Sequence, residues 1–209
     1  MEREHEADRS KVEQQVGQLE PDLPEHHEQQ ATAEPRIYVA SLSDYNNGIL
    51  HGTWIDAAQE LEELSAEVAR MLAQSQVPGA EEYAIHDYEG FGGVRLDEHE
   101  TLRTVSRLAN GIVEHGEALA LLAAYASLDD LDFLEAAIRD SYLGMWESLD
   151  DFVSHVVDDM GIETYIEHAP ASYRQYLTID RDKLAGNLEM ELTILEGSGG
   201  RVHVFDPNR

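Results

Sequence analysis

The sequence predicts an α+β fold in which a small mixed unit, a helical middle section and a second mixed unit follow one another within 209 residues. Hairpin patterns stand near both ends of the foldable chain, at Arg36–Ile55 and Leu188–Phe205. Between residues 96 and 137, apolar residues recur at helical spacing behind capping residues, with no strand pattern to interrupt them. The first 35 residues carry ten acidic and three basic side chains and no sustained apolar period, so a disordered acidic tail is expected there. The expected domains are 36–95, an N-terminal α+β unit; 96–137, a helical middle unit; and 138–209, a C-terminal α+β unit.

Arg36 to Leu42 reads as a strand, Ser43 to Gly48 as a turn built on Asp-Tyr-Asn-Asn-Gly, and Ile49 to Ile55 as the returning strand. Asp56 is placed to cap a helix from Ala57 to about Gln74, where Leu61, Leu64, Val68, Met71 and Leu72 share one face. Val77, Pro78 and Gly79 end it, and Glu82 to Tyr88 supplies a third strand ahead of the loop at Gly90, Gly92 and Gly93. Asp97 and Glu100 make a capping-box pattern before a helix buried through Leu102, Val105, Leu108, Ala109 and Ile112. Further helices fit Glu117 to Ala126 and Leu128 to Ala137, the second capped by Ser127 with Asp129 and Asp130 in its first turn. Ile138 to Trp146 reads as a strand, Ser148 caps a helix from Leu149 to Met160 stopped by Gly161, and Pro170 starts another helix. The closing hairpin is Leu188 to Leu195, a turn at Gly197 to Gly200, then Arg201 to Phe205.

With 43 acidic residues against 14 basic ones the formal charge is −29, which makes nucleic acid and anionic membranes poor partners and a basic surface a good one. No run of about 18 apolar residues and no basic, apolar leader appears, so a cytoplasmic protein with no membrane partner is expected. Without cysteine there is no disulfide, thiolate metal site or cysteine nucleophile. The histidines form no His-Glu-x-x-His array, Asp129-Asp130-Leu131-Asp132 lacks the glycine turn and distal glutamate of a calcium loop, and the glycine motifs of phosphate-binding enzymes are missing. No metal, no cofactor and no catalytic residue is implied. His86 and Asp87 are adjacent on an expected strand, where alternation sends neighbours to opposite faces.

One stretch does stand out. From Glu114 to Glu167 there are fourteen acidic residues and a single basic one, Arg139, where an ordinary solvated surface mixes both signs. Residues 36 to 209 carry 33 acidic against 11 basic residues, a net −22. Two such chains match the phosphate charge of roughly 75 Å of duplex at one charge per ~1.7 Å. Judged on charge alone, a generic acidic or salt-adapted surface is the commoner explanation, and a metal-dependent hydrolase is a third class to test.

RIYVASLSDYNNGILHGTWID at Arg36 to Asp56 and EEYAIHDYEG at Glu81 to Gly90 resemble the opening of ArdA antirestriction proteins. VVDDMG at Val156 to Gly161 and PASYRQY at Pro170 to Tyr176 resemble the acidic C-terminal stretch of that family, and the likeness runs over about Arg36 to Arg209. The resemblance implies an elongated, curved, three-domain monomer that forms a homodimer through its C-terminal part. It also implies a mimic of B-form DNA that binds the DNA-binding groove of type I restriction-modification enzymes and catalyses nothing. Combined with the charge, it makes Asp129, Asp130, Asp132, Glu135, Asp150, Asp151, Asp158, Asp159, Glu163 and Glu167 the expected phosphate substitutes. Glu60, Glu63, Glu67, Glu81, Glu82 and Asp87 continue that surface on the first unit. Apolar dimer contacts are expected from Tyr142, Trp146, Val202, Val204 and Phe205. The alternative is an acidic interaction module or chaperone for another basic protein, which competition with duplex DNA for a restriction enzyme would separate from a mimic.

Overall fold

The structure is a computed structural model that describes residues 34–128 and 130–209. The expected tail therefore falls almost wholly outside the described residues, as does Asp129. Order already holds at Pro35, which is buried and whose carbonyl accepts the Ala57 N–H at 2.9 Å.

Three antiparallel strands open the fold: β1 (Arg36–Ser41), β2 (Gly52–Asp56) and β3 (Tyr83–Glu89), in the order β2-β1-β3. Ile37 faces Ile55 on one side and Tyr88 on the other, and Ile37 and Val39 are fully buried. A register shift after Tyr38 pairs it with Asp87 while Val39 pairs with Ile85. His86 is thereby left over as the extra residue, and both His86 and Asp87 are exposed, against the strict alternation expected.

The expected turn between β1 and β2 is a short helix, α1 (Leu42–Asn46). Ser41 caps it, its hydroxyl oxygen accepting the Asp44 N–H at 3.3 Å, and the Asn-Asn-Gly run ends it at Asn47 with Gly48 at φ +74°. Asp56 caps no helix. It ends β2, and its carboxylate accepts the Ala58 N–H at 2.9 Å in a local turn, so α2 begins later, at Leu61, and runs to Ala73. Its inward face is still Leu64, Val68 and Met71.

Helix α3 (Leu102–His115) is capped by Thr101, which accepts the Thr104 N–H at 3.1 Å, while Asp97 closes a turn onto His99 instead of the expected capping box. Gly116, at φ +62°, joins it to α4 (Glu117–Tyr125). Helix α4 is apolar around most of its circumference and is accordingly central. The loop before α3 packs closely on it: a Cβ at Gly92 would stand 2.5 Å from that of Ala120. Helix α5 is Leu131–Asp140, capped by Asp130 at 2.9 Å to the Phe133 N–H, three residues later at each end than expected. The apolar face of Leu134 and Ile138 carries the helix past Ala137, and β4 consequently starts only at Tyr142, ending at Trp146.

Ser148 caps α6 (Leu149–Asp159) as expected, and Gly161, left-handed at φ +61°, separates it from α7 (Ile162–His168). After Pro170 come a single turn, α8 (Ala171–Arg174), and α9 (Arg181–Glu191). The strand expected from Leu188 is thus helical through Glu191. Leu188, Leu192 and Ile194 satisfy a period of two, but Leu184, Leu188 and Leu192 satisfy a helix as well. Asp180 decides for the helix by capping it, accepting the Lys183 N–H at 3.0 Å. Strand β5 is Thr193–Glu196, a 3-10 turn spans Ser198–Gly200, and β6 is Val202–Phe205.

The second antiparallel sheet has the order β4-β6-β5, so the last strand is the central one and all four of its side chains are buried. Val202 and Val204 join Phe152 in one core, with Trp146, Leu149 and Leu188 packed around it. Phe205 points the other way, into a larger core that runs from Ile37 in the first sheet through α2 to α5. Alternation along one short strand therefore ties the two cores together.

Candidate functional site

The carboxylates singled out from the sequence fall into three groups, and fourteen of the sixteen are exposed; Glu67 is half-buried and Asp129 lies outside the described residues. On the first unit, Glu60 caps α2 through its backbone and Glu63 lies in the first helical turn, where the helix dipole favours a negative charge. Glu67 is answered by Arg70 one turn on, at 3.5 Å. Glu81 and Glu82 lead into β3, and the Asp87 carboxylate accepts the Tyr88 N–H at 2.8 Å.

The middle group is built around a cation. Arg107 of α3 reaches α5, donating from Nη2 to Asp132 at 2.6 Å and to Glu135 at 2.8 Å, with Nε donating to Glu135 at 3.1 Å. These bonds push the guanidinium above its ordinary range. Asp130 beside them is committed to its cap.

The third group lies on α6 and α7. Ser148 accepts the Asp151 N–H at 3.1 Å as the cap of α6, while the Asp151 carboxylate accepts the N–H of Glu147, the residue before the cap, at 3.3 Å. Asp150, in the same first turn, faces Arg181 of α9 at 4.0 Å. Asp158 and Asp159 are different. They stand in the last turn of α6, where the carbonyl end of the helix disfavours an anion, and neither has an ion pair among the described residues. Glu163 and Glu167 follow on α7, four residues apart and hence on one face, again without an ion pair among the described residues. Asp158, Asp159 and Glu167 thus stand at the carbonyl ends of their helices, while Glu163, in the first turn of α7, is favoured by the helix dipole but faces a like charge at Glu167.

Two carboxylates with a different role escaped the sequence reading. Asp44, fully buried, accepts the Ser75 hydroxyl at 2.5 Å and the Gln76 N–H at 3.2 Å. The Ser75 bond above all holds its pKa down, against the opposing effect of burial. Glu117, at the first residue of α4, accepts the Ser198 N–H at 2.6 Å and faces Arg201 at 3.7 Å and His203 at 3.5 Å. Burial pushes the Glu117 pKa up, but Ser198 and His203 outweigh it and the net direction is down. Burial lowers His203, with Glu117 opposing, and raises the Tyr142 phenol to about 12 beside it. Both clusters are joints between elements, and no spacing in the sequence marks them because their partners lie 31 and 81 residues away.

Of the side chains expected at a dimer contact, Val202, Val204 and Phe205 are buried within the chain, and Tyr142 and Trp146 are half-buried, Trp146 packing on Phe152 at 4.6 Å. The closing strand, expected to offer apolar surface to a partner, is the middle of its sheet and buries that surface within the chain. The exposed apolar side chains of the C-terminal third are instead Met160, Tyr165, Tyr173, Tyr176, Leu177 and Met190. Among the described residues no three acidic or histidine side chains are grouped to hold a metal ion, and no helix is long and apolar enough to cross a membrane.

No curated protein matches the chain. A family model described as antirestriction protein (ArdA) matches residues 37–203, which takes in most of both sheets, the Arg107 cluster and the carboxylates of α6 and α7. The chain belongs to the ArdA family of antirestriction proteins.

Proposed function

We propose that this antirestriction protein acts as a DNA mimic, occupying the DNA-binding groove of a type I restriction-modification enzyme through its carboxylates and breaking no bond. The observation that carries the reading is the set Asp158, Asp159, Glu163 and Glu167. They are exposed, without a cation within ion-pair distance among the described residues, and three of them sit at the helix end that disfavours them. Charges that cost the fold something and are not paired within it are matched by an external cation, and a groove lined with lysine and arginine supplies many. Encounter is then accelerated at long range, while each exposed contact adds only ~0–1 kcal/mol.

A homodimer is part of the reading. Tyr165, Tyr173 and Tyr176 leave an apolar face around α7 and α8, helices that contain no buried residue. An apolar contact suits two chains whose net charges repel.

The test is competition: a purified type I restriction complex is loaded with labelled duplex DNA and titrated with the protein at two salt concentrations. Displacement of DNA that weakens with salt supports mimicry. Binding that leaves DNA in place rejects it in favour of an acidic module for some other basic surface.

A further inference from the structure

We propose that Arg107 is a positioning residue of the acidic surface: it fixes Asp132 and Glu135 as one rigid anionic contact, so that removing this positive charge weakens the inhibitor. The inference rests on the mimicry reading. Both carboxylates come from α5 at positions i and i+3, on one face, while the guanidinium comes from α3. Arg107 uses Nε and both hydrogens of Nη2, and takes one oxygen of each carboxylate, Asp132 Oδ1 and Glu135 Oε1. Asp132 Oδ2 and Glu135 Oε2 accept no hydrogen bond among the described residues.

The depth of the three groups matters. The Arg107 side chain is 36% exposed against 87% for Asp132 and 50% for Glu135, so an approaching partner meets the anions before the cation. Two carboxylates over one guanidinium sum to a single negative charge, shared by two uncommitted oxygens. A phosphodiester offers the same pattern, one charge on two free oxygens. The fork geometry of arginine also removes side-chain freedom from both acids before the partner arrives, so less is lost on binding. Asp158, Asp159, Glu163 and Glu167 have no such clamp among the described residues and contribute field without fixed geometry.

The two effects predict opposite signs. Arg107→Gln shifts the formal charge from −29 to −30, so a surface acting through bulk charge alone binds a basic groove more tightly. A surface in which the clamp matters binds less tightly. The experiment measures association and dissociation of the full chain on an immobilised type I restriction enzyme, for the parent, R107Q and R107K. Expected for both variants is dissociation faster by about two- to five-fold, with association at low salt unchanged or faster. R107K keeps the charge and loses the fork, which separates geometry from charge. A general loss of fold would lower the amount of competent protein but not the dissociation rate of what has bound. E135Q should also cost less in the R107Q background than in the parent, because the two act as a unit. R107Q bound as tightly as the parent or more so, or R107K indistinguishable from it, overturns the proposal while leaving mimicry intact. A parent protein that DNA does not displace overturns both.

Discussion

The Glu117 carboxylate and the His203 imidazole face each other at 3.5 Å across the seam between the first residue of α4 and the central strand of the second sheet. His203 Nδ1 is 2.9 Å from the Tyr142 hydroxyl, and its Nε2, buried, has no hydrogen bond among the described residues. Glu117 in turn holds the Ser198 turn and Arg201. One carboxylate thus fastens the closing hairpin to the helical section.

Glu117→Ala is expected to destabilise the protein by about 1–3 kcal/mol, the usual cost of stranding buried hydrogen-bonding groups. Glu117→Gln, which keeps an acceptor for Ser198, should cost less. Urea unfolding of both variants checks this, and equal losses would mean that charge, not hydrogen bonding, makes the joint.

Stability should fall on acidification in two steps. His203 is lowered from its ordinary 6.5 by burial, so the unfolded chain binds the proton more readily; its contribution is complete above 6.5 and is lost as pH falls through the lower folded value. Asp44 and Glu117, both lowered, contribute stability above about 3.8 and 4.5 that is lost only below those values. Thermal melts from pH 8 to 3 should show the first step vanish in His203→Gln. A first step of unchanged size in that variant would assign it to another histidine.

Asp158→Asn with Asp159→Asn should stabilise the fold and impair the inhibitor at once. Removing two anions from the carbonyl end of α6 is expected to raise Tm by about 1–4 °C. The same variant should compete less well with DNA. A lower Tm would show that these side chains have partners the fold needs.

Neutralising Asp150, Asp151, Asp158 and Asp159 one at a time should change affinity by less than about five-fold each, and all four together by more than the single changes suggest at raised salt. Inhibition curves for the four single variants and the quadruple variant decide it. One dominant position without salt dependence would point to a discrete site.

Light scattering at micromolar concentration should give the mass of two chains. Tyr165→Ala with Tyr176→Ala should shift it toward one, since a buried aromatic contact is worth about 1–2 kcal/mol. A parent protein that is monomeric rejects the homodimer.

Local signals placed most of the fold, and failed where two local rules competed. The apolar face of α3 was readable because its period is unambiguous, and Ser148 and Gly161 bound α6 because cap chemistry is local. Asp56 looked like a cap, yet its carboxylate found a nearer N–H at Ala58, and the helix moved four residues on.

What the sequence alone determined is the α+β class, the inward faces of the helices, the net charge and the exposure of nearly all the chosen carboxylates, since each depends on neighbours a turn away or on composition. Only the tertiary structure decided which acids are paired and which are not. Asp132 and Asp158 are alike in sequence, both acids on the polar side of an amphipathic helix, but Arg107 arrives beside the first from 25 residues away and no cation approaches the second among the described residues. Whether a charge is neutralised depends on the packing of one helix against another, and that is set by the cores, not by the charges themselves.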